Sequence, residues 1–142
     1  MESDFDDTAA RGLQGYLRLV TGQLRLSGEC GFVDAERPMG AYLALDGRLP
    51  AYPDRDVALV WDEVRGWAVA VETHSGEDLL VCEYYGADPV RAPDAVARWV
   101  RGVLSVKGRG RRIVSPRGAR EDVAGRLAPY AIVGLMLEPR SA

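Results

Sequence analysis

The chain has 142 residues, of which 47% are hydrophobic and 27% are charged, and its formal net charge is -3. This length and composition predict one folded domain with its own core, and they exclude a chain that is disordered throughout. Because there are only two cysteines and one histidine, we expect no disulfide framework, no metal site and no cofactor.

The N-terminus, residues 1–7 (MESDFDD), is acidic and lacks the basic and apolar regions of a secretory signal. The apolar segment Ala131–Leu137 is far shorter than the ~20 residues that a bilayer span needs. We therefore expect a cytoplasmic protein with a flexible N-terminus and no membrane contact.

The first helix is predicted over Thr8–Leu26, because apolar residues recur there with helical spacing. The stripe consists of Leu13, Tyr16, Leu17, Val20 and Leu24. Gly12 and Gly15 each weaken this helix by about 1 kcal/mol relative to alanine. Their small size also allows another backbone segment to approach closely.

A run of strand-like segments separated by turn residues follows the first helix. The segments are Ala41–Leu45, Val57–Asp62, Trp67–Thr73 and Leu79–Tyr85, with a further strand possible around Cys30–Val33. Their short connections predict an antiparallel meander of about four strands.

The hairpin around Gly66 carries two of the tryptophans. Gly66 suits the left-handed position of a three-residue loop with a bulge, which pairs Glu63 with Trp67. The bulky face then holds Leu59, Trp61, Trp67, Val69 and Val71, and the small face holds Ala58, Ala68 and Ala70. We interpret the tryptophans as core residues rather than as a recognition surface, since helices cover the bulky face.

The next turn leaves two registers open for the strand Leu79–Tyr85. Its loop has two or three residues, and a difference of one residue in loop length moves the side chains of the strand to the opposite face of the sheet. A two-residue turn at Ser75-Gly76 puts Leu80, Cys82 and Tyr84 on the bulky face. A three-residue loop that includes His74 puts Leu79, Val81 and Glu83 there instead. We favour the first register, which keeps Glu83 away from the core.

A second helix is predicted over Pro93–Val106 from the stripe Val96, Trp99, Val100, Val103 and Leu104. Residues 8–106 are thus expected to form a single α+β domain, in which the first and second helices pack on one antiparallel sheet.

A basic loop is expected at residues 107–118, and the basic block extends to residue 120. It contains Lys107, Arg109, Arg111, Arg112, Arg117 and Arg120 without an intervening acidic residue. Such a block can bind a phosphate backbone. Because the chain is acidic overall and the block has no aromatic residue for base stacking, we favour a solvated loop over a nucleic-acid site.

The C-terminal segment, residues 119–142, is expected to pack on the domain. A helix is predicted around Arg120–Leu127 with a break near Pro129, while Ala131–Leu137 is compatible with a strand or a helix. We expect the apolar part, Leu127–Leu137, to cover the alanine face around Ala58, Ala68 and Ala70. Otherwise that face would suit a homodimer or a partner protein.

The chain contains none of the common catalytic or phosphate-binding motifs. The turn that holds His74 is expected at the same end of the sheet as the connection before the second strand. His74, Asp54, Asp56 and Asp78 would then meet as an acid–base or small-ligand site. The ordinary interpretation is that these acidic residues cap turns and keep the strand edges soluble.

The segments DGRLP, PDRDVALVWDE, GWA and SGEDL lie within residues 41–106. In these segments the chain resembles an actinobacterial group, domain-of-unknown-function family 6292. The resemblance implies a bacterial cytosolic setting and brings no catalytic or binding residue with it.

Taken from the residues alone, the function that we expect is a non-enzymatic protein-binding or regulatory module. The alternatives are a nucleic-acid-associated accessory protein that uses the basic block, and a small-ligand binder or enzyme at the His74 end of the sheet.

Overall fold

The structure is a computed structural model that describes residues 2–26, 31–73, 78–86, 88–105 and 123–131, with side chains from Thr8 onward. Its described elements are one helix, five strands and two further helices, in that order along the chain. The domain is therefore α+β with an antiparallel sheet, as predicted.

Helix α1, Glu2–Leu24, begins earlier than the sequence predicted. Residues 2–7, which were expected to be flexible, belong to this helix. At the other end Arg25 has a φ of 59°, and the Leu26 amide donates a 2.9 Å hydrogen bond to the Thr21 carbonyl. This hydrogen bond closes the helix in the manner of a Schellman motif.

Five antiparallel strands form one sheet in the order β1-β2-β3-β4-β5, so each described strand pairs with its neighbour in the chain. Their bounds are β1 Gly31–Asp34, β2 Gly40–Leu45, β3 Val57–Asp62, β4 Gly66–Glu72 and β5 Leu79–Tyr84. The predicted meander is confirmed, and the additional strand expected around Cys30–Val33 is present as β1.

Helices α1, α2 (Pro93–Ser105) and α3 (Val123–Leu127) join one face of the sheet in a single apolar core. We call this face the inner face and the opposite one the outer face. The inner face includes Ala41, Leu43, Val57, Leu59, Trp61, Trp67, Val69 and Val71. The outer face includes Phe32, Tyr42, Ala58, Val60, Ala68, Ala70 and Tyr84.

The β3–β4 hairpin has a register different from the predicted one. The observed pairs include Asp62 with Gly66, Trp61 with Trp67 and Leu59 with Val69. The Asp62 carboxylate accepts hydrogen bonds from the backbone amides of Val64 and Arg65, so the turn begins at Asp62 rather than at Glu63. Gly66 has a φ of 78° and is left-handed as predicted. Because the register differs by two positions, every side chain keeps its predicted face.

Strand β5 departs from both predicted registers through a bulge. Val69 pairs with Glu83, and Ala70 pairs with Val81. Cys82 lies between these two pairs. Leu80 is on the inner-face side, as the favoured register predicted. Beyond the bulge, Glu83 is on the inner-face side and Tyr84 is on the outer-face side, which is the reverse of that prediction. The placement of Glu83 away from the core was therefore wrong. The Trp99 indole donates a 2.9 Å hydrogen bond to the Glu83 carboxylate, which gives the buried carboxylate a partner.

Glycine allows α1 and α3 to lie in contact at Gly12. A Cβ atom at this position would collide with the backbone of Leu127, the last residue of α3. The close approach expected from the small residue at Gly12 is thus present. It explains why a residue with low helix propensity lies in the middle of α1.

Candidate functional site

The inner face is a structural core in which each tryptophan indole has a hydrogen-bond acceptor. Trp61 donates to the Pro89 carbonyl, Trp67 donates to the Tyr16 hydroxyl at 3.0 Å, and Trp99 donates to Glu83. The three tryptophans are at most 8% exposed and belong to one apolar cluster. Their predicted role as core residues is confirmed.

The segment before α2 is fixed by hydrogen bonds from several elements. The Tyr16 hydroxyl donates to the Arg91 carbonyl, and the Arg126 guanidinium binds both the Asp88 carboxylate and the Val90 carbonyl. The hydrogen bond from Arg126 lowers the pKa of Asp88. Burial raises the pKa of Tyr16, so its hydroxyl keeps its proton and remains a donor. These hydrogen bonds fix the segment before α2 against α1 and α3.

The outer face presents an exposed aromatic pair at the β1 edge. The rings of Phe32 and Tyr42 stack with centroids 5.4 Å apart and planes 17° apart, and Phe32 is 65% exposed. Phe32, Tyr42 and Val60 pair in one row across β1, β2 and β3. We call these three residues the aromatic edge.

A hydrogen bond across the outer face fixes the Tyr42 side chain. Its hydroxyl donates a 2.9 Å hydrogen bond to the Glu72 carboxylate on β4. Burial and this hydrogen bond raise the pKa of Tyr42 to about 12. Because β3 lies between β2 and β4, the phenol crosses β3, and the register places Ala58 in its path. The small side chain of Ala58 leaves room for the ring.

The three alanines of the predicted binding face are buried within the chain. Ala58, Ala68 and Ala70 are at most 2% exposed. They are therefore not part of the accessible surface. Among the described large apolar residues of the outer face, Phe32 is exposed at 65% and Leu79 at 40%, so Phe32 at the aromatic edge is the more accessible of the two.

Acidic residues flank the aromatic edge. Asp34 and Asp62 lie on the outer face, in the row next to Phe32 and Val60. Glu36, which follows β1, is also exposed and donates its amide to the Asp34 carboxylate.

The carboxylate of Glu63 is committed to an internal ion pair beside this row. The Arg37 guanidinium binds it at 2.7 Å, and the Met39 amide donates to it at 2.6 Å. Burial raises the pKa of Glu63, but these hydrogen bonds outweigh burial, and the net effect is a lowered pKa. Arg37 therefore contributes little free positive charge beside the aromatic edge.

The structure brings part of the predicted acidic end of the sheet together. The Asp56 carbonyl accepts the Glu72 amide, and the Asp78 carbonyl accepts the Thr73 amide, so Asp56 and Asp78 flank the end of β4. The Asp56 side chain pairs with Arg48 at 3.0 Å. Asp54 is exposed in the turn before β3.

His74, the base of the predicted acid–base site, lies outside the described residues. Among the described parts of the chain, no group of three or more histidine, cysteine, aspartate or glutamate residues is arranged to hold a metal ion. The site at this end of the sheet therefore stays a prediction.

A cleft of about 650 Å³ lies between the end of α1 and the middle of α2. Its lining includes Arg25 and Arg101, and Arg101 donates to the Gln23 carbonyl at the end of α1. A basic side chain at that point satisfies a carbonyl at the helix C-terminus and complements the helix dipole. We interpret the cleft as part of the contact by which Arg101 on α2 caps the C-terminal end of α1.

The basic block, Lys107 to Arg120, lies entirely within positions 106–122, which are outside the described residues. Of the C-terminal segment, the described part packs on the helical side of the sheet. Leu127 is fully buried against α1, and the Tyr130 ring lies 5.0 Å from that of Tyr16. Coverage of the alanine face by Leu127 and Tyr130 is therefore wrong, and residues 132–137 lie beyond the part that is described.

A model described as "Family of unknown function (DUF6292)" matches residues 16–102, which is more than half of the chain. The chain belongs to this family. The matched region contains the five described strands and begins earlier than the resemblance predicted, at Tyr16 instead of Ala41. The aromatic edge therefore lies within the family region, whereas the basic block follows it. No curated protein and no solved structure matches the chain.

Within the described residues, no helix has the length and apolar character needed to cross a membrane. The family description names no activity, ligand or partner. Function must therefore be argued from the surface of the domain.

Sequence reasoning did not identify Phe32 and Tyr42 as surface residues. The alternation of GAYLAL indicates that Tyr42 points away from Ala41 and Leu43, which was a usable signal. The stacking of Phe32 on Tyr42 required the pairing of β1 with β2, and β1 had the weakest signal in the sequence.

Proposed function

We propose that the domain is a non-enzymatic protein-binding module of a bacterial cytoplasm and that it binds its partner through the aromatic edge. The observation that carries this proposal is the 65% exposure of Phe32, whose ring is held against Tyr42 at the open edge of the sheet. An exposed aromatic side chain of this size adds apolar surface that binding can remove from water.

The Tyr42 side chain, at the centre of the aromatic edge, is held at two points within the chain. Tyr42 is fixed at its hydroxyl by Glu72 and at its ring by Phe32. A side chain that is already ordered loses little conformational entropy on binding, and aromatic residues are common at the centres of protein interfaces. The polar residues around the edge supply the rim that such an interface needs.

The test is to capture partners from the native cell with the tagged full chain and to identify them by mass spectrometry. A captured partner is then purified, and its affinity is measured for the wild type and for Phe32→Ser. We expect the substitution to weaken binding at least tenfold, or about 1.4 kcal/mol.

Leu80→Ser is the matched control, because Leu80 is also an exposed apolar residue, at 45%, but lies on the opposite edge strand. Circular dichroism and denaturation verify that both variants fold. Unchanged affinity in folded Phe32→Ser, or an equal loss in Leu80→Ser, would contradict a partner site at the aromatic edge.

The alternative functions have separate tests. A nucleic-acid role predicts salt-dependent binding to DNA or heparin that weakens when Arg109, Arg111 and Arg112 are replaced with alanine. A ligand site at the His74 end predicts a ligand-induced rise in melting temperature that His74→Ala removes.

A further inference from the structure

Strand β1 is an edge strand of the described sheet. It pairs with β2 on one side, all four of its residues are at least partly exposed, and its register with β2 is regular. The opposite edge strand, β5, is interrupted by the bulge at Cys82. A regular edge can accept another strand through its free backbone groups, whereas a bulge interrupts such pairing. Of the two described edges, β1 is the one suited to strand addition.

Side chains of a strand added beside β1 would alternate between the two faces of the sheet. On the outer face they would lie beside Phe32 and Asp34, which are two positions apart. On the inner face they would lie beside Gly31 and Val33. Gly31 contributes no side chain there, so Val33 is the β1 side chain that the added strand meets on this face.

The charge at this edge favours a basic partner. Asp34 and Glu36 are exposed, and Asp62 lies in the same outer-face row as Asp34. Arg65 lies 3.9 Å from the Asp62 carboxylate, and Arg37 is paired with Glu63. When Arg65 is counted against Asp62 and Arg37 against Glu63, two of these carboxylates, Asp34 and Glu36, remain. Opposite charges on adjacent strands stabilise the pair.

From these placements we propose that β1 binds an extended, basic segment of another protein by strand addition. An apolar residue of that segment packs beside Phe32, and a lysine or arginine two positions away pairs with Asp34. Backbone hydrogen bonds supply much of the affinity, and the apolar–basic alternation supplies the specificity. This inference rests on the proposed function and adds the chemistry of the partner to it.

The test uses the isotope-labelled full chain and a short synthetic peptide in which threonine alternates with valine and lysine. We expect amide shifts concentrated in β1 and β2, and no binding when the peptide backbone is N-methylated at alternate positions. Replacing the lysines with glutamate, or introducing Asp34→Lys, should each weaken binding about tenfold, and the two changes together should restore part of the loss.

Asp54→Lys is the matched control, because it makes the same change in charge at an exposed position in the turn before β3, whereas Asp34 lies in the row of Asp62 at the other end of that strand. Equal weakening by Asp54→Lys, tolerance of the N-methylated peptide, or no binding at about 1 mM would overturn strand addition. Concentration-dependent shifts at β1 without peptide would overturn it as well, since the occupant would then be a second copy of the chain.

The outcomes separate this inference from the proposed function. If Phe32→Ser releases the native partner but the basic peptide does not bind at β1, the aromatic edge remains a binding surface and strand addition is wrong. If Phe32→Ser leaves partner affinity unchanged, the proposed function is wrong.

Discussion

The inner and outer faces of the sheet use aromatic residues in different ways. On the inner face, Trp61 and Trp67 are at most 2% exposed, and their indoles donate to Pro89 and Tyr16. On the outer face, Tyr42 is only partly covered, and Phe32 stacks on it while facing solvent. Hydrogen-bonded, buried rings fix one packing arrangement, whereas an exposed ring adds little to folding. We therefore expect stability to depend mainly on the inner face, and under the proposed function the outer face makes the contact.

The largest effect is expected at Trp67, which is completely buried at the centre of the inner face. Trp67→Ala removes its packing and leaves the Tyr16 hydroxyl without the donor that it accepts from. We expect a loss of about 3–5 kcal/mol in the free energy of unfolding, measured by denaturant titration. A loss below about 1 kcal/mol would break the assignment of stability to the inner face.

A smaller effect is expected at the contact between α1 and α3. Gly12→Ala forces a Cβ atom into the Leu127 backbone and should cost about 1–3 kcal/mol. Gly22→Ala is the matched control in the same helix, because nothing lies within 4 Å of its added Cβ. That control should stabilise the helix by about 0.5–1 kcal/mol. Equal effects of the two substitutions would mean that the helices do not meet at Gly12.

Acid should weaken the fold through Glu63 and Asp88, whose pKa values are both lowered in the folded state. A lowered folded-state pKa contributes stability above the unfolded pKa, and this contribution is lost as the pH falls through the folded value. We therefore expect the denaturant concentration at the unfolding midpoint to decrease as the pH is lowered below about 4.5.

Glu63→Gln and Asp88→Asn sharpen this prediction. Each variant should be less stable than the wild type at pH 7, and the difference should become smaller at pH 3, because the wild-type carboxylates are then protonating. Parallel pH profiles for wild type and variants would show that these ion pairs do not contribute to acid sensitivity.

The smallest effect on folding is expected at Phe32. Phe32→Ser should change the free energy of unfolding by less than about 1 kcal/mol, because the ring is mostly exposed and loses only its stacking on Tyr42. Thermal unfolding compares the variant directly with Trp67→Ala. A large loss at Phe32 would mean that the aromatic edge is part of the core.

The faces of the β3–β4 hairpin could be predicted from sequence although its register could not. Side chains in a strand alternate with a period of two, so a shift of two positions leaves Trp61 and Trp67 on the predicted face. The register itself depends on the Asp62 carboxylate, which binds the amides of Val64 and Arg65. A hydrogen bond between a side chain and the backbone of the turn is not visible in hydrophobic alternation.

Glu83 and Phe32 show why long-range contacts limit prediction from sequence. A bulge places Glu83 on the inner face, where Trp99, on a helix later in the chain, donates to it. Phe32 forms its surface with Tyr42 only after β1 has paired with β2. Local sequence contains neither partner, so the apolar pattern predicts the core more fully than it predicts the candidate site.

The most direct test of the central claim is amide-shift mapping of the full chain with a purified partner. The account predicts that the perturbed amides concentrate in β1 and in β2 around Tyr42, while those around Trp67 and Tyr16 stay unchanged. Perturbations concentrated in residues 107–120 or next to His74, with β1 unchanged, would contradict it, because the partner would then bind at the basic block or at the His74 end of the sheet.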